Sequence, residues 1–482
     1  MKKSSKIIWS IIIFITILCV FSTKWILETY NNASFEQIIF HLTEPINGVE
    51  KTIVYNYLTK CFIITIIEYI LVMYIFKTIL KKITSIKTFM KFKIILTTII
   101  IIIILMCFYR IGGIEYLING ERKSTFIEEN YIDPKTVKIT FPDNKKNLIY
   151  IYLESFESTY YGKKEGGLQK ENLIPELYEL SKNNTSFSDT KAMGGAFQIH
   201  GTSWTTAGLV AQTSGIPLKI SKTLTNDGRI NNFLKGAYTL GEILEKEGYN
   251  QTIMFGSDAN FGNRKKYFES HGNYKVYDYY TAIKNKKIKE NYYVWWGFED
   301  SKLYEFAKEE LNSLSKEKQP FNLTLLTSNT HHPNGYLEEK CQKKHKKQYA
   351  NVILCTSYQI NEFINWCKKQ DFYENTTIII VGDHLSMNTN FFRTLSTNKR
   401  RIFNLFINTP VTENKYNRKF STLDMFPTTL ASLGVSIEGN RLALGTNLFS
   451  NEKTLIEKYG IDYVNKELSY NSTFYNKKIL GY

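Results

Sequence analysis

The chain has 482 residues and a formal charge of +16, from 61 basic and 45 acidic side chains. That excess suits anionic partners such as lipid headgroups or phosphorylated substrates, although heavy use of Lys, Asn and Ile accounts for it equally well. No Lys/Arg run is interleaved with aromatics, which argues against a nucleic-acid partner. No Cys-x-x-Cys occurs among the six cysteines, so no thiolate zinc site is expected.

Three apolar stretches come early. Ile7–Thr23 is uncharged, Cys61–Phe76 carries only Glu68, and Ile94–Tyr109 is uncharged and mostly Ile. Each falls a little short of the roughly 20 residues needed to span a bilayer, but flanking lysines can snorkel. Residues 1–109 therefore read as a membrane anchor with three transmembrane helices, at about 7–23, 61–76 and 94–109. No small-x-small cleavage site follows the first, which is expected to stay as an anchor. Lys77, Lys81, Lys82, Lys87, Lys91 and Lys93 crowd the second connection, whereas the first balances Lys24, Lys51 and Lys60 with acidic residues. Positive residues stay inside. This predicts a multi-pass protein of the cytoplasmic (inner) membrane, N-terminus inside, with everything after Tyr109 in the periplasm or outside. Cys19, Cys61 and Cys107 lie in the apolar segments and read as buried hydrophobes.

Residues 110–146 are polar and charged, with Asp133-Pro134 and Pro142-Asp143, and read as a linker that lies along the membrane surface or packs on the large C-terminal domain. From 147 to 482 short apolar strands alternate with helical segments. Strands are expected at Asn147–Leu153, Gln251–Phe255, Phe321–Thr327, Thr376–Val381 and Phe403–Ile407. Amphipathic runs are Gly241–Glu247, Leu303–Leu314 and Ser357–Cys367. The alternation predicts an α/β domain, one parallel-rich sheet with helices on both faces. In such folds ligands sit at the carboxyl ends of the strands.

The chemically active residue types cluster there. The first of these strands ends in Glu154-Ser155 and the one at 376–381 in Gly382-Asp383-His384. Carboxylate and imidazole after buried strands suit a divalent metal such as Mn, Mg or Zn; equally, Glu154 can serve a helix start and an Asp-His pair can arise by chance. Thr330-His331-His332-Pro333 follows the strand at 321–327, and a His there can protonate a leaving group or bind a phosphoryl oxygen, or cap the turn. Gly201-Thr-Ser-Trp-Thr-Thr-Ala-Gly208 opens a helical stretch, where Thr205 is either an N-cap-type hydroxyl or a nucleophile beside the helix dipole. Asn263-Arg264-Lys265-Lys266 can clamp phosphate or begin a solvated helix. Cys341 and Cys355 flank a basic loop and can pair if that loop is extracytoplasmic, leaving Cys367 over.

From about Asn147 to Phe449 these signals, in order and spacing, resemble the membrane phosphoglycerol transferases. That group includes the periplasmic-glucan-modifying type and, more distantly, lipoteichoic acid synthase, within the alkaline phosphatase/sulfatase superfamily. The likeness rests on Ile-Tyr-Leu-Glu154-Ser, on the run from Gly201 through Thr205 to Gly215-Ile-Pro-Leu218, and on Ser270-His-Gly272. It continues through Trp296-Gly-Phe-Glu-Asp300, Thr330-His331-His332-Pro333, Asp383-His384 and Asp424-Met-Phe-Pro-Thr-Thr-Leu430. The resemblance implies an alkaline-phosphatase/sulfatase-like domain with a central, mostly parallel sheet between helices. It implies one divalent metal, Mn foremost, at Glu154, Asp383, His384 and Thr205. Thr205 would be the nucleophile, His331 the group beside the leaving oxygen, and Arg264, His331 and His332 the substrate contacts. A Cys341–Cys355 disulfide is also implied. Gly262 stands where lipoteichoic acid synthase has an aromatic, a departure that bears on Arg264.

The expected reaction moves phosphoglycerol from phosphatidylglycerol to a glycan hydroxyl through a phospho-threonine, releasing diacylglycerol. A phosphoethanolamine transferase acting on lipopolysaccharide or another glycan is the alternative, and a non-catalytic glycan-binding membrane protein the second. A sulfatase nucleophile needs Cys/Ser-x-Pro-x-Arg, and Thr205-Thr-Ala-Gly-Leu209 lacks the Pro and Arg. Trp295 and Trp296 read as core residues with a lesser prospect of stacking on a sugar ring.

Overall fold

The computed structural model describes residues 3–30, 33–43, 50–220, 233–388, 390–392, 395–410 and 415–481. The chain forms two bodies. One holds residues 1–38 and 49–119, and the other holds 39–48 and 120–482.

The first body contains three helices long and apolar enough to cross a membrane: α1 (Lys3–Thr29), α2 (Lys51–Lys82) and α3 (Ile86–Arg110). They run past the expected apolar stretches at both ends, because the flanking Lys and Thr residues do not break a helix whose centre is Ile and Leu. α1 packs against both of the others. Polar groups there find partners: Ser22 bonds Tyr57 at 2.9 Å, Trp25 Nε1 donates to Asn56 Oδ1 at 3.1 Å, and Ser10 meets Tyr69. Ile7, Ile8, Ile11, Ile67, Ile70 and Ile94 stay exposed, the inverse of a water-soluble helix face.

The second body is built on a six-stranded sheet. Its strands are β2 (Asn147–Leu153), β3 (Asn250–Phe255), β4 (Lys275–Tyr277), β5 (Phe321–Leu326), β6 (Thr376–Gly382) and β7 (Asn404–Ile407), in the order β4-β3-β5-β2-β6-β7. All neighbours are parallel except β6 and β7. Every residue of β2, β5 and β6 is buried, as strands covered on both faces require. Along β2, Ile149, Ile151 and Leu153 enter the main core beside Leu323, Leu325, Ile378 and Ile380. Each such side chain contributes about 1.5–3 kcal/mol by leaving water. The alternate residues Tyr150 and Tyr152 stack on each other at 4.5 Å.

Helices cover the sheet, among them α4 (Thr205–Ser214), α5 (Arg264–Ser270), α6 (Asp300–Leu314) and α7 (Gln348–Cys367). α7 starts nine residues before the expected run at 357, because Tyr349, Val352 and Ile353 already turn an apolar face inward. The stretch expected as a linker packs on this body from Gly120 onward. There β1 (Ile139–Thr140) pairs with Ser436–Ile437, and Lys146 Nζ donates to the carbonyl of Asn408 at 2.7 Å. Cys341 and Cys355 are joined in a disulfide, and Cys367 is a buried free thiol.

Candidate active site

Three parallel neighbours, β5, β2 and β6, end side by side, and the chain places its chemistry just beyond them. The register pairs Leu153 with Gly382, so the next residues, Glu154 and Asp383, leave adjacent strand ends together. Both are buried, as is His384. One ligand atom from each of the three lies within 4.8 Å of the others. His384 Nε2 is 3.4 Å from Glu154 Oε1 and 3.4 Å from Asp383 Oδ2.

The surrounding backbone and hydroxyls hold these groups in place. Ser155 sits at φ 54°, a costly conformation for a side-chain-bearing residue, and this turns its N–H to Asp383 Oδ1 at 2.7 Å. Its hydroxyl donates to Glu154 Oε1 at 2.7 Å, and the Glu154 N–H donates to Thr327 Oγ1 at 3.0 Å. His384 donates its Nδ1–H to the carbonyl of Leu385 at 2.8 Å. A carbonyl only accepts, so Nδ1 carries a proton and Nε2 is the nitrogen turned toward the carboxylates.

Thr205 is the first residue of α4, and the preceding Trp204 supplies no side-chain cap. Its hydroxyl donates to Glu154 Oε2 at 3.2 Å and lies 3.4 Å from His384 Nε2. α4 is drawn onto the strand ends through Gln212, which donates from Nε2 to the carbonyl of Gly382 at 2.9 Å and accepts from the Tyr150 hydroxyl at 3.2 Å. Gly208 permits the approach, since a Cβ there would meet the carbonyl of Asp383 at 2.3 Å.

The electrostatics are those of a site with unbalanced charge. Burial and the neighbouring Glu154 carboxylate hold Asp383 well above the usual carboxylate range. Against burial, Asp383 and Glu154 push His384 up to about 9. Asp383 Oδ2 is buried without a hydrogen-bond partner among the described residues. Two carboxylates, an imidazole with Nε2 turned inward, a hydroxyl and an orphaned carboxylate oxygen fit a divalent cation, which would replace the Nε2 proton. Oxygen-rich ligation suits Mn, Mg or Zn without choosing among them.

His331 follows β5. It gives its Nδ1–H to the carbonyl of His332 at 2.8 Å, which leaves Nε2 for the cleft, and its half-buried ring packs 4.5 Å from Trp296. Burial lowers its pKa, with Glu154 pulling the other way. His332 stacks on His331 at 4.5 Å and is 2% exposed, so of the two rings His331 is the one that opens outward. Trp296 is buried and packs between Phe261 and His331. Arg264 is buried too: Nε donates to the Phe261 carbonyl at 2.8 Å, and Nη2 to Ser257 Oγ and the Asp258 carbonyl at 3.1 and 2.6 Å. Its guanidinium lies over the rings of Phe255 and Phe261. The structure thus brings Glu154, Thr205, Asp383 and His384 into contact. His331 stands close enough for its charge to act on Glu154, while Arg264 spends two of its three nitrogens on the protein. Sequence reasoning did not single out Ser155, Thr327 and Gln212. Gln212 lies inside the run from Gly201 to Leu218, which was the available signal.

A family model described as Sulfatase matches residues 146–435. Phosphoglycerol transferase I of Salmonella choleraesuis (strain SC-B67) is 31% identical over 320 residues, covering 65% of this chain and 40% of that protein. The chain therefore matches less than half the length of that relative. A solved structure of an alkaline phosphatase superfamily protein from Vibrio parahaemolyticus superposes with a TM-score of 0.54 at 24% identity, covering 68% of this chain and 76% of that one. The lipoteichoic acid synthase LtaP from Listeria monocytogenes gives 0.51 at 19% identity, covering 67% and 81%. These two likenesses speak to the fold.

Proposed function

The chain belongs to the sulfatase family, and we propose that it is a membrane-anchored transferase that moves phosphoglycerol from phosphatidylglycerol to a glycan hydroxyl. The observation that carries the reading is Thr205 at the uncapped start of α4, its hydroxyl 3.2 Å from Glu154 Oε2. The 31% identity to a phosphoglycerol transferase I supports the headgroup. The three apolar helices support access to a lipid donor.

Glu154, Asp383 and His384 would hold the divalent ion. When bound, it lowers the pKa of the neighbouring hydroxyl and offsets charge on the phosphoryl oxygens. The protein's own residues perform the transfer. Thr205 loses its proton to solvent and attacks phosphorus, the bond to the diacylglycerol oxygen breaks, and that oxygen leaves with the Nε2 proton of the His331 imidazolium. A phospho-threonine remains. The glycan hydroxyl then gives its proton to the neutral His331 and attacks phosphorus, and the Thr205 oxygen departs and takes a proton from solvent. Two steps through one nucleophile let lipid and glycan occupy the cleft in turn. The first-turn N–H groups of α4 face the charge that develops on phosphorus.

The test uses membranes carrying wild type or Thr205→Ala, glycerol-labelled phosphatidylglycerol, Mn and a candidate glucan. Thr205-dependent label in the glycan with diacylglycerol released is the expected result. Consumption of ethanolamine-labelled lipid with phosphatidylglycerol untouched would move the headgroup to ethanolamine. Turnover of neither by folded, metal-loaded protein would defeat the transferase reading.

A further inference from the structure

Residues 39–43 group with the second body, although in sequence they lie between the first two apolar helices. Phe40 is fully buried there, its ring 5.8 Å from Trp204, the residue before Thr205. The same ring would touch a Cβ placed at Gly262. Phe40 thus anchors the segment beside the start of α4.

The next residue behaves differently. The His41 side chain is exposed, so packing does not account for it. It is held flat against Phe261, the rings 5.9 Å apart and 14° from parallel. Phe261 lies 5.4 Å from Trp296, and Trp296 lies 4.5 Å from His331. Four rings therefore form one continuous wall from His41 to the proposed proton-transfer residue. The crowding of nearby atoms and the charges of His331 and His384 all bear on the His41 ring, pushing its pKa down to about 4. The His41 ring is thus the solvent-exposed end of this wall.

We propose that His41 is a specificity residue that contacts the glycerol end of the donor's headgroup, with the aromatic wall as the floor on which that headgroup lies. This rests on the phosphoglycerol reading above. A neutral imidazole offers one N–H donor and one lone pair, the complement of a diol that can both accept and donate. Arg264, whose guanidinium also lies over Phe261, is buried with Nε and Nη2 committed to protein acceptors, so the wall's exposed polar end is His41.

The test takes the full chain in phosphatidylglycerol-containing nanodiscs, as wild type and as His41→Phe, which keeps a stackable ring and removes both nitrogens. Two donors are compared, phosphatidylglycerol and methyl nitrophenyl phosphate, a diester without the diol. We expect the ratio of kcat/KM for the first over the second to fall about tenfold, the scale of one lost hydrogen bond. We expect the inhibition constant of glycerol 1-phosphate against the nitrophenyl diester to rise by a similar factor. An equal loss on both donors, or no loss on either, overturns the role of His41 while wild-type turnover of phosphatidylglycerol leaves the transferase reading standing. A wild type that cleaves the nitrophenyl diester, ignores phosphatidylglycerol and is not inhibited by glycerol 1-phosphate overturns both.

Discussion

Gly208→Ala tests whether the closeness of α4 to the strand ends sets the reaction geometry. The added Cβ would lie 2.3 Å from the Asp383 carbonyl oxygen, and an ordinary contact begins at 3.4 Å. The neighbour is backbone, so relief requires the helix to move off the strand ends by about 1 Å, the displacement that costs on the order of 100-fold in rate when it misaligns a reacting group. Stability changes less. Ala gains about 1 kcal/mol over Gly in a helix interior, while overpacking costs about 1–3 kcal/mol, leaving a net loss of about 0–2 kcal/mol. The expected variant is folded, with a denaturation midpoint near wild type, and about 100-fold slower on a chromogenic phosphodiester. A folded Gly208→Ala enzyme within about twofold of wild type would refute the idea that this approach positions Thr205.

Other outcomes come from the same geometry. Removal of divalent ions by a chelator should abolish turnover and lower the melting temperature, because it leaves Glu154 and Asp383 together in the interior. Glu154→Gln, which removes a direct ligand's charge, should weaken metal affinity by more than the roughly 10–100-fold that loss of an outer partner costs, read by direct titration, and undiminished affinity would remove Glu154 from the site. Asp300 is raised to about 7 by burial, with Glu338 adding to the rise and the amides of Ser328 and Asn329 opposing it. A folded-state pKa above the unfolded one gives stability that is full below about pH 4 and lost as pH rises toward 7. Urea midpoints should therefore decline across that window in wild type and much less in Asp300→Asn. Reduction of the Cys341–Cys355 disulfide, which closes a separation of 14 residues, should cost about 3 kcal/mol by loop entropy, read from denaturation with and without reductant.

The strands that carry the site were legible because each is a short apolar run ending in a charged or polar residue. Asn147–Leu153 before Glu154 and Thr376–Gly382 before Asp383 could hardly be anything but buried strands in a covered sheet. That these two strands are neighbours was not legible, since strand order is set by helix packing over long separations. The edge strand Lys275–Tyr277 was missed because its three residues carry no pattern. The docking of residues 120–146 is not legible for a similar reason: the two-residue strand Ile139–Thr140 gains its meaning from Ser436–Ile437 near the other end of the chain. Arg264 reads as a surface charge beside Lys265 and Lys266, yet Phe255 and Phe261 enclose it. His331 and His332 look equivalent in sequence, and only the packing separates the outer ring from the inner one.

The pairing of Leu153 with Gly382 has a consequence for how such a protein can change. The carboxylates of Glu154 and Asp383 hang from strand ends whose spacing is dictated by interstrand hydrogen bonds, so their separation is inherited from the sheet and not from any loop. The rings of Phe261 and Trp296 belong instead to connections between elements, which tolerate exchange as long as His331 is kept. Retargeting by recombination should therefore succeed when connections are swapped and strands kept. A single residue inserted within β6 would displace Asp383 by about 3.3 Å and silence any chimaera that carries it.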